Sequence, residues 1–415
     1  MADRRVVITG VGPVSAVGVG RQAFFDGLRA GRTGIGPITA FPADRFTSKL
    51  AAEVRGFDVR DYLETEKTYL DRASQLAFAA MSLAMEDANL DPRGMDRSSC
   101  GLILGSAVGC LESAELFFAD FLEKGPRFVK PIIFPHTYAN TAVSLLAIEY
   151  GLDGYHLDFA SGVTSSAAAI LQGYDRVRTG RDPVVFAGGV EALSPLLLRG
   201  FELSGLLSPS DGGGAEGCAP FDAARNGFVL GEGAGMLVLE EAEHARQRGA
   251  SVLAEIVGGG MASALPAAGD AERPESGMAR AMRRACRSAG ADAPRPGYIS
   301  AAARGGRGFD RAEALAIRDV LGERSADVPV GSVKPLLGEV LGADGALRTI
   351  AAAGALQTRF VPPTLNLKQA EGDLALRFVG EEGIAGEIGT VLVNSIDPGG
   401  SVVCLAVGSW GGAGV

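Results

Sequence analysis

Histidine and patterned cysteine are what this sequence has least of. Three histidines (His136, His156, His244) and five cysteines (Cys100, Cys110, Cys218, Cys286, Cys404) are scattered over 415 residues. None forms a CxxC pair, so no convincing zinc site can be assembled and no metal is expected. Odd, unpatterned cysteines also fit a reducing, cytoplasmic setting better than a disulfide scaffold. Basic runs are missing too: net charge is −10, and no aromatic-basic interleaving appears, which argues against nucleic acid as a partner. The most basic stretch, MARAMRRACRSAG, places Arg280, Arg283, Arg284 and Arg287 at helical spacing and reads as a solvated helix face. No apolar run reaches membrane-spanning length, and MADRRVVITG passes from charges directly into a strand-like run. Neither a membrane span nor a signal peptide is therefore expected.

Glycine, by contrast, is abundant, at 59 residues spread through the chain without a repeat. That favours tight turns and close backbone packing over disorder. Short apolar runs stopped by glycine recur, among them VVITGVG, GLILGSAVG, PVVFAGG, SVLAEIVGGG, TVLVNS and VVCLAVGS. Helical patterns such as YLDRASQLAFAAMSLAMEDANL lie between several of them. Strands buried on both faces and alternating with helices predict an α/β protein in which helices sandwich sheets. SVLAEIVGGG resembles RRVVITGVG at the start, so two similar halves, 1–250 and 251–415, are expected to share one continuous core. The most loop-like stretch is ALPAAGDAERPESG (264–277).

One stretch suggests chemistry. In LDFASGVTSSAAAI a strand-like run turns through small residues into an alanine-rich helix. Such a turn presents a nucleophile where the helix N–H groups and dipole favour a developing anion. Here it offers serines, a glycine, a valine and a threonine, but no cysteine.

APFDAARNGFVLGEGAGMLVLEE (219–241) resembles the signature of the β-ketoacyl synthases. The likeness extends through VVITGVGPVSAVG, GPRFVKPIIFPHT, YGLDG, FAGGVEA, VKPLLGEVLGADGA and NSIDPGG, covering almost the whole chain. It implies the thiolase fold, a five-layered αβαβα sandwich from two similar halves, with no cofactor. An active synthase of this family uses a cysteine nucleophile and two histidines. Carried onto this sequence, the cysteine position is Val163 and the histidine positions are Ala302 and Glu339, while the supporting Lys334 and Glu313 are kept. An anionic Glu339 would then be placed to pair with Lys334. In the glycine-rich gating loop, NSIDPGGSV (394–402), the residues at the gate are Ile396, Asp397 and Pro398, and proline stiffens it.

A chain that keeps the scaffold and replaces these three groups resembles the chain-length factor of type II polyketide synthases. That resemblance implies a non-catalytic chain, no enzyme on its own, which heterodimerises with a ketosynthase alpha subunit. It would meet acyl carrier protein through the complex and shape the channel for the growing polyketide. Val163 departs from the glutamine often found at the cysteine position in such proteins. By the same resemblance Leu111, Ala114 and Phe118 fall on the channel-gating helix (110–125), unless Leu111 and Phe118 are simply its core face. Ile133 and Phe134 either line the partner's pocket or pack in their own interface. Two other readings stand beside this one: an acyltransferase, hydrolase or cyclase using Glu339 as a base in the old pocket, and a scaffolding homodimer.

Overall fold

Glycine-stopped apolar runs become the strands of this chain. The structure is a computed structural model that describes residues 4–63, 65–90, 94, 96–210, 217–264, 274–290 and 296–411. In the first half the strands are β1 (Val6–Ser15), β2 (Cys100–Gly105), β3 (His156–Phe159), β4 (Val184–Glu191) and β5 (Gly233–Glu241). In the second they are β6 (Ala254–Ser263), β7 (Tyr298–Ser300), β8 (Pro329–Gly331), β9 (Thr390–Ile396) and β10 (Ser401–Gly408). Every residue of β1, β2 and β4 is buried, as expected of strands covered on both faces.

The two halves repeat one topology. The strand order is β3-β2-β4-β5-β1 in the first and β8-β7-β9-β10-β6 in the second. Each is third, second, fourth, fifth, first. In both, the first three in that order run parallel and the remaining pairs antiparallel. β1 and β6 then meet antiparallel, Val6 opposite Ile256, and join the two sheets edge to edge.

The helices supply the other three layers. They are α1 (Arg72–Asp87), α2 (Leu111–Lys124), α3 (Thr141–Tyr150), α4 (Ser165–Arg178) and α5 (Pro195–Leu203) in the first half. The second half contributes α6 (Pro274–Ser288), α7 (Arg307–Leu321) and α8 (Asp344–Thr358). α4 lies on β2 and β4, α8 lies on β9 and β10, and the two helices pack on each other between the sheets. α1 and α3 cover the outer face of the first sheet, α6 and α7 that of the second. The result is the five-layered αβαβα sandwich. One apolar cluster runs through its middle, from Ala167 and Ile170 to Leu347, Ile350, Val393 and Leu405, so the halves share a core.

Small residues set the spacing of the central layer. A Cβ on Gly345 of α8 would lie 2.7 Å from the backbone nitrogen of Ala167 in α4, closer than carbon and nitrogen can pack. Of the loop-like stretch, residues 265–273 lie outside the described residues, and 274 already begins α6. The basic helix is tied to its neighbours: Arg283 pairs with Asp319 at 2.8 Å and Arg280 donates to the Ser263 carbonyl at 2.8 Å. Among the described residues no helix is long and apolar enough to cross a membrane.

Two glycine substitutions separate close approach from mere flexibility. Gly345→Ala is expected to force α4 and α8 apart and lower stability by about 1–3 kcal/mol. Gly200→Ala, mid-helix in α5 with no atom within 4 Å of the added Cβ, is expected to raise it by about 0.5–1 kcal/mol. Denaturant unfolding of the full chain reads both, and a neutral Gly345→Ala would show the central layer to be looser than described.

Candidate functional site

The turn between β3 and α4 is held by its own hydroxyls. Gly162 adopts φ +64° and opens a single 3-10 turn, Gly162–Thr164, before the helix. The Ser165 hydroxyl accepts from the Ser161 N–H at 2.9 Å and donates to the Gly162 carbonyl at 2.7 Å. Thr164 donates to the Ser161 carbonyl at 2.8 Å, and Ser166 accepts from the Ala346 N–H of α8 at 3.0 Å. These hydroxyls are therefore engaged in shaping the turn. Val163 sits at the presenting position, 2% exposed, packed among Leu197, Leu198, Phe228 and Leu341.

An internal carboxylate caps this turn. The Val163 N–H donates to Asp397 Oδ2 at 2.9 Å, and the Gly399 N–H donates to Oδ1 at 2.7 Å. Asp397 belongs to the tight Asp-Pro-Gly-Gly turn between β9 and β10, closed by the Asp397 N–H donating to the Ser401 carbonyl at 2.9 Å. Any side chain at residue 162 would collide with that carboxylate, so glycine is needed there for space as well as for its φ. Ile396 is buried, whereas Pro398 is exposed.

A pocket of ≈ 460 Å³ opens over Val163. Its walls include Leu111, Leu197, Phe201, Leu341 and Pro398, with Asp397 at the edge. Of the residues the sequence assigns to a channel, Leu111 lines it, but Ala114 and Phe118 do not. The reason is helical geometry: Leu111 and Phe118 share a face of α2, but seven residues separate them by roughly 10 Å along the axis. Phe118 is 59% exposed and stands edge-on to Phe117, which packs on Phe134 at 5.6 Å. Phe134 in turn meets Tyr138 at 5.4 Å. Phe118 and Phe134 thus belong to one outward aromatic surface, while Ile133 is buried in its own chain.

Glu339 and Ala302, which the resemblance sets at histidine positions, lie outside this pocket, within or beside a buried ionic layer. Glu339 is fully buried and meets Lys334 Nζ at 2.6 Å and Arg304 Nη1 at 3.1 Å. Lys334 also reaches Asp344 at 3.2 Å, and Asp344 pairs with Arg348 at 2.7 Å. Arg348 donates to the carbonyls of Ser300, Ala301 and Asn394 at the ends of two strands. Ala302 contributes its N–H to Glu313 at 2.8 Å, and Asn394 Nδ2 donates to the same oxygen at 2.9 Å. Burial pushes the Glu313 carboxyl up.

Glu191 is a further buried acid that the sequence reading passed over inside the AGGVEA motif. It accepts from the N–H groups of Ala107 at 2.7 Å and Gly342 at 3.1 Å. It thereby ties together the two loops that flank the pocket. Burial outweighs these donors and pushes its pKa up to about 7. Arg304 was missed as well, although an arginine inside AAARGG is a charge in an otherwise apolar setting. His136 packs edge-on against Tyr69 at 5.0 Å, and Cys110 is buried with its thiol pKa pushed up by desolvation.

Two measurements follow from this geometry. Glu339→Ala strands Lys334 and Arg304 in the interior and is expected to cost about 3–5 kcal/mol in denaturant unfolding; a loss below about 1 kcal/mol would mean that water reaches the pair. Glu191 has a folded pKa above its unfolded value, so its protonated form favours the fold. Its contribution is full below the unfolded value of about 4.3 and is lost as pH rises to about 7. The stability of the wild type relative to Glu191→Gln is expected to fall across that window and then level off. A difference independent of pH would contradict it.

Known proteins share this architecture along its whole length. Residues 3–245 match the family described as Beta-ketoacyl synthase, N-terminal domain, and residues 253–368 the corresponding C-terminal domain. A 3-oxoacyl-[acyl-carrier-protein] synthase 2 of Coxiella burnetii is 35% identical over 97% of both chains. The structure described as the ishigamide ketosynthase/chain length factor superposes with a TM-score of 0.91 at 31% identity, covering 99% of this chain and 100% of that one. A type II PKS acyl-carrier protein in complex with its ketosynthase, bound to the hexaketide, gives 0.87 at 29% identity over 98% and 100%. These relatives correct the expectation that the chain is no enzyme on its own, since synthases named for catalysis match it from end to end. That expectation rested on three side chains, Val163, Ala302 and Glu339, whereas the pocket and helix terminus of the fold are retained. From its sequence, its repeated topology and its pocket at the head of α4, the chain belongs to the β-ketoacyl synthase family.

Proposed function

We propose that this chain is the chain-length-determining subunit of a heterodimeric β-ketoacyl synthase of the type II polyketide kind. Its partner would be a ketosynthase alpha subunit, and acyl carrier protein would dock on the pair. The observation that carries this reading is the state of the pocket at the head of α4. Val163 and leucines wall it, and Asp397 holds the N–H that a reacting carbonyl oxygen would use. A likeness over the full length to a ketosynthase/chain length factor supports it.

In this reading Leu111 borders the inner end of the channel, and Ala114 and Phe118 border it where the partner completes the wall. Ile133 and Phe134 belong to the segment that faces the partner. Lys334 and Glu313 keep a structural role in the ionic layer, and the turn at Ile396, Asp397 and Pro398 stays fixed. The reading in which Glu339 serves as a base loses its support, because Glu339 is closed off from the pocket and held by two cations.

Co-expression with candidate ketosynthase alpha subunits tests the proposal. The expected result is a stable complex of one copy of each chain, with condensation products lengthened by Phe118→Ala. Failure of every candidate to associate, or a product length indifferent to Phe118→Ala and to a bulkier Ala114→Phe, would overturn it.

A further inference from the structure

The pocket over Val163 has a feature that neither its walls nor the family likeness explains: a fixed negative charge at the head of a central helix. Its volume of ≈ 460 Å³ lies within the range of about 300–1,000 Å³ in which small molecules bind. Its lining is almost wholly apolar, and includes Leu111, Val163, Leu197, Phe201, Leu341 and Pro398. A helix N-terminus bordering such a pocket ordinarily attracts an anion through its unpaired N–H groups and its dipole. In this chain the anion is supplied internally. Asp397 takes the Val163 N–H, and the next turn donor, the Ser165 N–H, already goes to the Gly162 carbonyl. Both oxygens of Asp397 are held by backbone donors, at 2.9 and 2.7 Å, so the charge stays at the pocket edge.

We propose that Asp397 is a specificity-determining residue, which makes this pocket accept an uncharged apolar ligand and reject carboxylates and other anions. Two effects act together. An entering anion finds the Val163 and Ser165 N–H groups already bonded, and it meets a like charge where the surrounding apolar walls screen poorly. An uncharged hydrocarbon chain, or a neutral ketone at its end, loses neither and gains the apolar contact. Gly162 belongs to the same device, because a side chain at that position would displace the carboxylate. The inference concerns what the pocket binds and stands apart from the pairing proposed above.

The test compares ligands of equal chain length on the purified full-length chain by calorimetry. The probes are decanoate and its neutral counterparts decan-1-ol and 2-decanone, at about pH 8, where a fatty carboxylate is ionised. The wild type is expected to bind the neutral probes at least tenfold more tightly than decanoate. Asp397→Asn should close most of that gap, and Asp397→Gly, which frees the Val163 N–H, should bring decanoate to parity or beyond. Leu197→Trp should abolish binding of the neutral probes and so locate them in this pocket. Far-UV circular dichroism of both Asp397 variants matching that of the wild type serves as the control that the fold is intact. Equal binding of both ligand classes by the wild type, no binding of either, or a preference unmoved by both Asp397 variants would overturn the proposal. If Asp397→Gly does not fold, Asp397→Asn alone decides.

Discussion

The near-contact of α4 and α8 is the constraint from which the site is built. Two helices rich in small residues lie between the sheets at a separation that one Cβ on Gly345 would break. That separation brings the heads of both helices to one level. Val163 enters α4 there, and on the other side Gly342 and Leu341 lead into α8. Glu191, at the end of β4, ties the loop that follows β2 to the one that leads into α8, with one oxygen accepting from both Ala107 and Gly342. The pocket is the space left above these heads. Its shape is therefore inherited from the packing of the core rather than from the side chain at residue 163.

Electrostatics divides that region into two parts. Below, Glu339, Lys334, Arg304, Asp344 and Arg348 form a closed ionic layer in which every charge has an opposite neighbour. Such a layer gives little net stability but is costly to unbalance. Glu339 is tolerated in this interior because two cations stand within about 3 Å of it. Above, the pocket is apolar and holds one carboxylate, satisfied by backbone donors rather than by a cation. The two acids thus differ in kind: Glu339 is paired with cations, whereas Asp397 is bonded to backbone donors.

How much of this was legible depended on separation along the chain. Glycine-stopped apolar runs marked the strands, and the likeness of SVLAEIVGGG to RRVVITGVG marked the repeat now seen as two identical strand orders. Glu339 and Lys334 stand five residues apart, so their proximity was readable from local sequence. The bond from Val163 to Asp397 spans 234 residues, and no pattern within either segment announces it. Arg304 and Glu191 were hidden by their surroundings, since a lone charge in an apolar motif reads as a surface residue until its partners are known. Phe118 was set on the channel-gating helix by counting positions, which fixes a helix face but not whether the residue meets this pocket or the outward aromatic surface. The expectation of a chain with no enzyme activity failed for a related reason, because it weighed three positions against a likeness that runs through all the rest.

The outward surface bears on the pairing in a way the pocket does not. Phe118, Leu122, Phe128, Ile132, Phe134 and Tyr138 are all exposed on or near α2 and the turn Pro131–Thr137. Ile148 adds to them from α3, which packs against both that turn and β3. β3 ends the sheet, and among the described residues its outer edge pairs with nothing. On it Asp158 has one oxygen without a partner, and desolvation pushes its pKa up to about 6. An apolar patch, a free strand edge and an uncompensated acid are each unfavourable in an isolated chain. Their meeting at one end of the molecule is economical only if another chain covers them. A second copy would bring an identical acid to the same edge, whereas a different chain of the same fold need not. In the pairing proposed above, a partner with a cation or a hydrogen-bond donor at that position would satisfy the acid.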